Sequence, residues 1–142
     1  MKQNNNKPIH KIEYYDNNEK TRKLYEHWKI NGEYHREDGP AYIEYHKDGG
    51  VLCEYYYING KMHREDGPAF IAYYKDGNIK RKIYAINGKW HRENGPASIQ
   101  YDICGNAYDV RYRINGKYFC KEEYLKLIPP QNRIKVLLND TE

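Results

Sequence analysis

Apolar and polar positions alternate in short runs along most of this chain. From 41 to 46 every second residue is Ala, Ile or Tyr, and a second run, Val51 to Ile58, is rich in β-branched and aromatic residues. Alternation with a period of two is typical of a strand that buries one face. The pair Asp48-Gly49 joins the two runs, and Asn59-Gly60 follows the second. Because such pairs tolerate positive φ, the pattern predicts a β-hairpin followed by another tight turn.

The hairpin pattern recurs at a fixed spacing. The tripeptide Ile-Asn-Gly begins at positions 30, 58, 86 and 114, so each step is 28 residues. Between these tripeptides the sequence HREDGPA occupies positions 35–41 and 63–69, and the closely similar HRENGPA occupies 91–97. An ungapped period over four copies predicts a repeat architecture, in which each unit covers the apolar face of its neighbour.

Three columns of the repeat do not vary. They are Ala at 41, 69 and 97, Ile at 43, 71 and 99, and Tyr at 45, 73 and 101. The alternate positions change freely, as in Tyr42, Phe70 and Ser98. Since side chains of a strand point to opposite faces in turn, we expect the constant columns to pack as ladders on one side of a sheet.

The ends of the chain depart from the repeat. We predict a disordered tail over 1–8, a β-hairpin domain over 9–120 and a helical cap over 121–142. The units of the repeat are then 12–39, 40–67, 68–95 and 96–120. A short helix is predicted for Lys121–Ile128, with acidic residues in its first turn and two prolines after it. Residues 132–140 fit a second helix or a strand. The fold class is therefore all-β, an elongated, twisted antiparallel meander of stacked hairpins with a helical cap.

Composition narrows the class of protein. Only 39% of residues are hydrophobic and 31% are charged, values that a disordered chain also has. The 17 Tyr residues favour folding, because a tyrosine ring can be buried while its hydroxyl remains hydrated. The net charge of +4 is spread along the chain rather than clustered, which disfavours nucleic acid as a partner.

The cysteines and the hydropathy pattern indicate a compartment. Cys53, Cys104 and Cys120 are odd in number and form no Cys-x-x-Cys pair, which argues against structural zinc. The chain has no run near the ~20 apolar residues of a membrane helix, and its first residues lack the apolar core of a signal peptide. We therefore expect reduced thiols and a cytoplasmic location, meaning the host cytoplasm or the virion if the protein is viral.

The repeated segment carries a family resemblance. The sequence NGKMHREDGPAFIAYYKDG and its copies resemble the H-R-x-x-G-P-A repeats, often described as MORN-like, of large DNA viruses, tailed phages and some bacteria. The resemblance extends over roughly residues 12 to 128. True MORN repeats have a shorter period and a Tyr-x-Gly-x-Trp core that this chain lacks. Membership would imply stacked β-hairpins and a binding or scaffolding role, and it would supply no enzymatic activity.

The repeated His-Arg-Glu triplet invites a chemical interpretation. Three histidines on one metal need ring nitrogens about 3 Å apart, because metal–nitrogen distances are about 2 Å. Equivalent residues two strands apart are separated by about 9–10 Å, so a shared metal is disfavoured. Catalysis needs different groups converging on one substrate, whereas this row repeats the same groups side by side. We predict no catalytic residue, no metal and no cofactor.

Two interpretations of the row remain open. In the first, the His, Arg and Glu side chains satisfy the backbone of the return loop and link one unit to the next. In the second, the arginines face outward and bind an anionic partner. The candidate binding residues are His35, His63, His91, Arg36, Arg64 and Arg92.

A further column is always apolar but never constant. It contains Tyr34, Met62, Trp90 and Tyr118. Its simpler interpretation is packing at a turn. Because Trp, Tyr and Met are common at interfaces, the column is also a candidate recognition stripe, with Tyr34, Met62 and Trp90 as its candidate binding residues.

These patterns together favour a non-enzymatic binding or scaffold module. A protein partner or a homo-oligomer is expected first, and a small anionic ligand is the next choice. One alternative is a protein that sequesters a nucleotide signal to counter host defence. The other is a structural component of a virion or assembly, associating through an exposed sheet edge.

Overall fold

The structure, a computed structural model, describes residues 7–16 and 18–138 of the chain, and within them it contains fourteen strands and two helices. Most of the predicted disordered tail, residues 1–6, lies outside the described residues. The elements, in chain order, are β1 (Ile9–Tyr14), β2 (Lys23–Ile30), β3 (Glu33–Tyr34), β4 (Tyr42–Tyr45), β5 (Val51–Tyr55), β6 (Tyr57–Ile58), β7 (Lys61–Met62), β8 (Phe70–Tyr73), β9 (Ile79–Ile83), β10 (Ala85–Ile86), β11 (Lys89–Trp90), β12 (Ser98–Tyr101), β13 (Ala107–Ile114), β14 (Lys117–Phe119), α1 (Lys121–Leu127) and α2 (Pro130–Leu138).

Ten of the strands form one antiparallel sheet. Its order is β1-β2-β4-β5-β8-β9-β12-β13-β14, with β3 paired to β2. Two small hairpins, β6-β7 and β10-β11, stand beside it. The prediction of a mostly antiparallel β protein with a helical C-terminal segment is confirmed. Neither of the helices in the described ranges is long and apolar enough to cross a membrane.

The register of the sheet separates its two faces. Ile43 pairs with Glu54, and Glu54 pairs with Ile71. The same row continues through Lys82 to Ile99. We call this side the isoleucine face. The neighbouring row holds Tyr42, Tyr55, Phe70, Ile83 and Ser98, and we call that side the tyrosine face.

The second predicted strand of the hairpin, Val51–Ile58, is divided in the structure, so this prediction was wrong in its extent. β5 ends at Tyr55 because the two halves take different partners. The N–H of Tyr56 donates to the carbonyl of Ala69 on the main sheet, whereas Tyr57 pairs with Met62 in the small hairpin. The Asn59-Gly60 turn between β6 and β7 has positive φ at both residues, as the sequence predicts.

Small and polar residues occupy much of the buried interior. Ala41, Ala69 and Ala97 are fully buried where the loops approach the sheet. Glu26 is buried on the isoleucine face and accepts hydrogen bonds from Tyr45, His10 and Lys23. Further along the sheet, Tyr73 donates to Glu54 at 2.9 Å. Each of the two tyrosine–glutamate contacts joins residues that lie 19 positions apart in sequence.

An apolar cluster closes the C-terminal end. It contains Tyr112 of β13, Tyr124 and Ile128 from the α1 region, and Val136 of α2. Residues 130–138 are helical, which decides between the two predictions for the last segment. Cys53 is buried, Cys104 and Cys120 are exposed, and none of the three is in a disulfide.

The carboxylate of Glu26 makes stability depend on pH. Burial opposes its ionisation, but hydrogen bonds from Tyr45, His10 and Lys23 outweigh burial and lower its pKa below the ordinary value of 4.5. The folded protein therefore binds this proton less tightly than the unfolded chain, so stability rises with pH through this range. The contribution of Glu26 is present above pH 4.5 and is lost as the pH falls through the lowered pKa.

We expect Glu26→Gln to lower the free energy of unfolding at pH 7 by about 1–3 kcal/mol, because a charge-assisted network is lost in a buried place. Urea unfolding of both proteins from pH 7 to pH 3 measures the difference. The difference should narrow below pH 4.5. A difference that stayed constant over the whole range would contradict this assignment of the charge.

Candidate functional site

Three loops carry the repeated His-Arg motif. We call them loop 1 (35–40), loop 2 (63–68) and loop 3 (91–96). Each follows a short hairpin and leads into the next long strand, and each lies over one aromatic ring of the isoleucine face. These rings belong to Trp28, Tyr56 and Tyr84.

The histidine of each loop is linked to the next hairpin turn. In loop 1, His35 Nδ1 accepts the backbone N–H of Asn59 at 3.1 Å. The same contact, also at 3.1 Å, joins His63 to Asn87 and His91 to Asn115. The same nitrogen also lies 2.8 Å from the side-chain oxygen of Asn59 in loop 1 and 3.1 Å from that of Asn87 in loop 2, contacts to which a ring protonated at Nδ1 would donate. The contact with the backbone N–H is the one that all three loops share. In loop 1 the other ring nitrogen, Nε2, lies 3.7 Å from the carboxylate of Glu37.

The arginine of each loop is held from several sides, as loop 2 shows. The Cζ atom of Arg64 lies 4.1 Å from the ring centre of Tyr56, a cation–π contact. Its Nε donates to Asp66 at 2.7 Å, and its Nη1 donates to the Pro68 carbonyl at 3.5 Å. A Cβ atom at Gly67 would lie 3.0 Å from the Arg64 Cζ atom, so a larger residue there would push the guanidinium from its place by a few tenths of an ångström.

Loops 1 and 3 repeat these arginine contacts. Arg36 lies 3.9 Å from the Trp28 ring centre and donates to Asp38 at 2.7 Å, and Arg92 lies 3.8 Å from that of Tyr84 and donates to Asn94 at 2.9 Å. These contacts favour the interpretation of the triplet as an internal link. Binding of an outside anion by the arginines stays a prediction.

Carboxylates, rather than guanidinium groups, dominate the exposed side of the loops. In loop 2 the side chain of Arg64 is 26% exposed, whereas Asp66 is 83% and Glu65 is 84% exposed. The hydrogen bond from Arg64 lowers the pKa of Asp66, so its carboxylate is charged at neutral pH. We call the exposed residues Glu37, Asp38, Glu65, Asp66 and Glu93 the acidic rim.

The acidic rim was not predicted from the sequence. The glutamates of the triplet were expected to bond the backbone of the return loop, not to form an exposed row. A signal was present, because an aspartate stands two residues after the arginine in loops 1 and 2. A side chain at that distance reaches the guanidinium from within the loop and holds it back from solvent.

The apolar column lies on the other side of the sheet. Tyr34 stacks on Tyr57, with ring centres 5.4 Å apart, and meets Tyr42 edge to face. The ring of Trp90 has two guanidinium groups beside it, those of Arg81 at 5.5 Å and Arg113 at 5.1 Å. The third member, Met62, pairs with Tyr57. The predicted binding residues therefore form two groups on opposite faces and do not converge.

Open grooves separate successive loops. Groove 1 lies between loops 1 and 2, has Tyr56 and Ile58 on its floor, and has a volume of about 790 Å³. Groove 2 lies between loops 2 and 3, has Tyr84 and Ile86 on its floor, and has a volume of about 550 Å³. Each combines an aromatic ring on its floor, an arginine packed on that ring and a charged outer margin. Such a surface can bind a side chain by stacking, hydrogen bonding and charge.

The position after loop 3 is closed by the C-terminal cap. Cys120 stands where a fourth arginine would follow the repeat spacing. In its place the ring of Tyr124, from α1, packs on Tyr112 with ring centres 4.7 Å apart. The sequence predicted the helix but not this insertion, because nothing in the sequence distinguishes Tyr124 from the other tyrosines.

We expect Arg64→Ala to lower the free energy of unfolding by about 1.5–3 kcal/mol, because it removes a ring contact and charge-assisted hydrogen bonds. Thermal and urea unfolding measure the change. Glu65→Gln is the matched control in the same loop and should change stability by less than about 0.5 kcal/mol, since the side chain is largely exposed. Unchanged stability in Arg64→Ala would contradict the linking role of the arginine.

Searches against protein-family models, curated proteins and solved structures found no match to this chain.

Proposed function

We propose that this protein is a non-enzymatic, MORN-like repeat module that binds another protein along its row of loops and acts as a scaffold element. The observation that carries the proposal is the acidic rim. Adjacent loops present carboxylates at corresponding positions, and the residues behind them are fixed by contacts within the protein. A surface that repeats in this way suits a long, basic segment of a partner.

The spacing of the loops defines the geometry of this partner. We propose that each 28-residue unit is one structural repeat and that the sheet is elongated and twisted. Two strands per unit then place equivalent loop atoms about 9–10 Å apart. A partner segment running across the strands would meet loops 1, 2 and 3 in succession.

Fixed loops also favour binding energetically. Ordering a flexible loop on binding costs about 0.5–1.5 kcal/mol for each immobilised side chain. In this protein the histidine of each loop is already bound to the next turn, and each arginine is already packed on a ring. Binding a partner therefore requires little further ordering of the loop side chains, and the free-energy cost of that ordering is small.

The test is capture of a partner by the full chain, followed by titration of the purified partner against variants. Glu37→Lys combined with Glu65→Lys reverses two charges of the acidic rim. Glu19→Lys combined with Glu33→Lys reverses two exposed charges outside the rim and is the matched control. We expect the rim variant to bind at least about ten-fold more weakly, because like charges would then face each other, and the control to bind normally.

Added salt should weaken the wild-type complex, because exposed charges are screened. A partner that bound both variants equally well would contradict the proposal. So would a partner that lost affinity only in the control.

A further inference from the structure

The chain itself shows what the position beside a loop can hold. Tyr124 is fully buried against loop 3. Its hydroxyl oxygen accepts the backbone N–H of Gly95 at 3.1 Å, and its one proton faces two acceptors, the carbonyl oxygens of Arg92 at 2.7 Å and Gly95 at 2.9 Å. Its ring packs on Tyr112. A tyrosine side chain thus satisfies the inner backbone groups of loop 3 and covers the aromatic floor beside it.

Loops 1 and 2 have the same backbone groups without that partner. Gly39 and Gly67 correspond to Gly95 by the 28-residue spacing. Across residues 7–16 and 18–138, no group of the protein bonds the N–H of Gly39 or of Gly67. Gly95 is buried beneath Tyr124, whereas Gly39 and Gly67 are only half-buried and line the open grooves.

The grooves have room for an aromatic ring. Groove 1, at about 790 Å³, is lined by Gly39, Tyr56 and Arg64, and groove 2, at about 550 Å³, by Gly67, Tyr84 and Arg92. In grooves 1 and 2 an arginine lies on the floor ring. At the position after loop 3, Cys120 stands in place of that arginine, so the Tyr112 ring is covered by Tyr124 instead. A ring entering groove 1 would therefore pack against the guanidinium of Arg64, and cations attract the faces of aromatic rings.

We propose that grooves 1 and 2 each take one tyrosine side chain of the protein partner. This proposal rests on the proposed function and names the chemistry of its partner. The phenol hydroxyl would donate to the carbonyl of Arg36 or Arg64 and accept the N–H of Gly39 or Gly67, as Tyr124 does at loop 3. Phenylalanine has no hydroxyl, so the glycine N–H and the arginine carbonyl would be buried without a hydrogen-bond partner. Burying such groups unsatisfied lowers the free energy of binding gained.

The acidic rim adds a selection for charge. Glu37 and Asp38 line groove 1 beside Gly39, and the pKa of Asp38 is held below its ordinary value by the hydrogen bond from Arg36. A phosphorylated tyrosine would bring about two negative charges next to these carboxylates. Arg36, Arg64 and His63 also line groove 1, but four carboxylates stand beside them, and both arginines already donate to a carboxylate of their own loop, Asp38 or Asp66. The grooves therefore favour the free phenol, and phosphorylation of the partner tyrosine would weaken binding.

The experiment is a titration of the ¹⁵N-labelled full chain with the blocked tripeptide Gly-Tyr-Gly, followed by amide resonances. We expect the Gly39 and Gly67 signals to shift and saturate with a Kd of about 1 mM, the range for one small side chain. The Gly95 signal should not move, because Tyr124 already occupies its position. From the same two signals, Gly-Phe-Gly and the phosphotyrosine peptide should give a Kd at least about ten-fold higher.

Absent shifts at Gly39 and Gly67 would overturn the proposal, and so would equal shifts with the phenylalanine peptide. Tyr124→Ala supplies a second readout, since its Gly95 signal should then respond to the tyrosine peptide. If this variant does not fold, the wild-type titration decides alone. If the tyrosine peptide does not bind but the Glu37→Lys, Glu65→Lys variant still binds the partner more weakly, the tyrosine grooves are rejected and the proposed function stands.

Discussion

The hydrogen bond from the Asn backbone to the His ring is the contact on which this structure depends. It joins each loop to a turn 24 residues later, from His35 to Asn59 and twice more along the chain. Each of these asparagines is the first residue of a two-residue turn and has a positive φ near 50°. Its N–H lies outside the ladder of its own hairpin and needs an acceptor elsewhere. The histidine supplies that acceptor, and the loop and the turn fix each other.

A sheet with such small buried side chains needs links of this kind. Its fully buried positions include Ala41, Ala69 and Ala97, which bury little apolar area. Contacts between units compensate, as when Tyr73 donates to Glu54 across 19 residues of sequence. Stability therefore comes from polar and aromatic contacts that recur along the sheet. Within residues 7–16 and 18–138, only the C-terminal cluster around Tyr124 resembles an ordinary core.

The sequence predicts the strands well because hairpins are local. Alternation and the Asp-Gly and Asn-Gly pairs locate β4, β5 and their turn within a few residues. The break at Tyr56 could not be predicted, because it depends on which neighbour each half of the run bonds. The orientation of Arg64 was equally hidden, since exposure of a long side chain depends on a ring and a carboxylate brought beside it by folding.

The arrangement of the candidate site could not be predicted from the sequence for the same reason. Spacing in the sequence groups His35, Arg36 and Tyr34 together, but β3 ends at Tyr34 and the chain turns into loop 1. Tyr34 therefore packs on Tyr57 on the tyrosine face, whereas Arg36 lies on the Trp28 ring on the opposite face. The grooves depend on how far apart successive loops lie, and Tyr124 reaches loop 3 from 29 residues away. No local pattern records such distances.

Hydrogen exchange of the backbone amides in wild type and His63→Ala tests the linking role of histidine most directly. We expect the Asn87 N–H to exchange at least about ten-fold faster in the variant, because its acceptor is gone. The N–H groups of Asn59 and Asn115 should keep their wild-type rates. An unchanged rate at Asn87, or an equal rise at all three asparagines, would contradict a link that is formed separately at each loop.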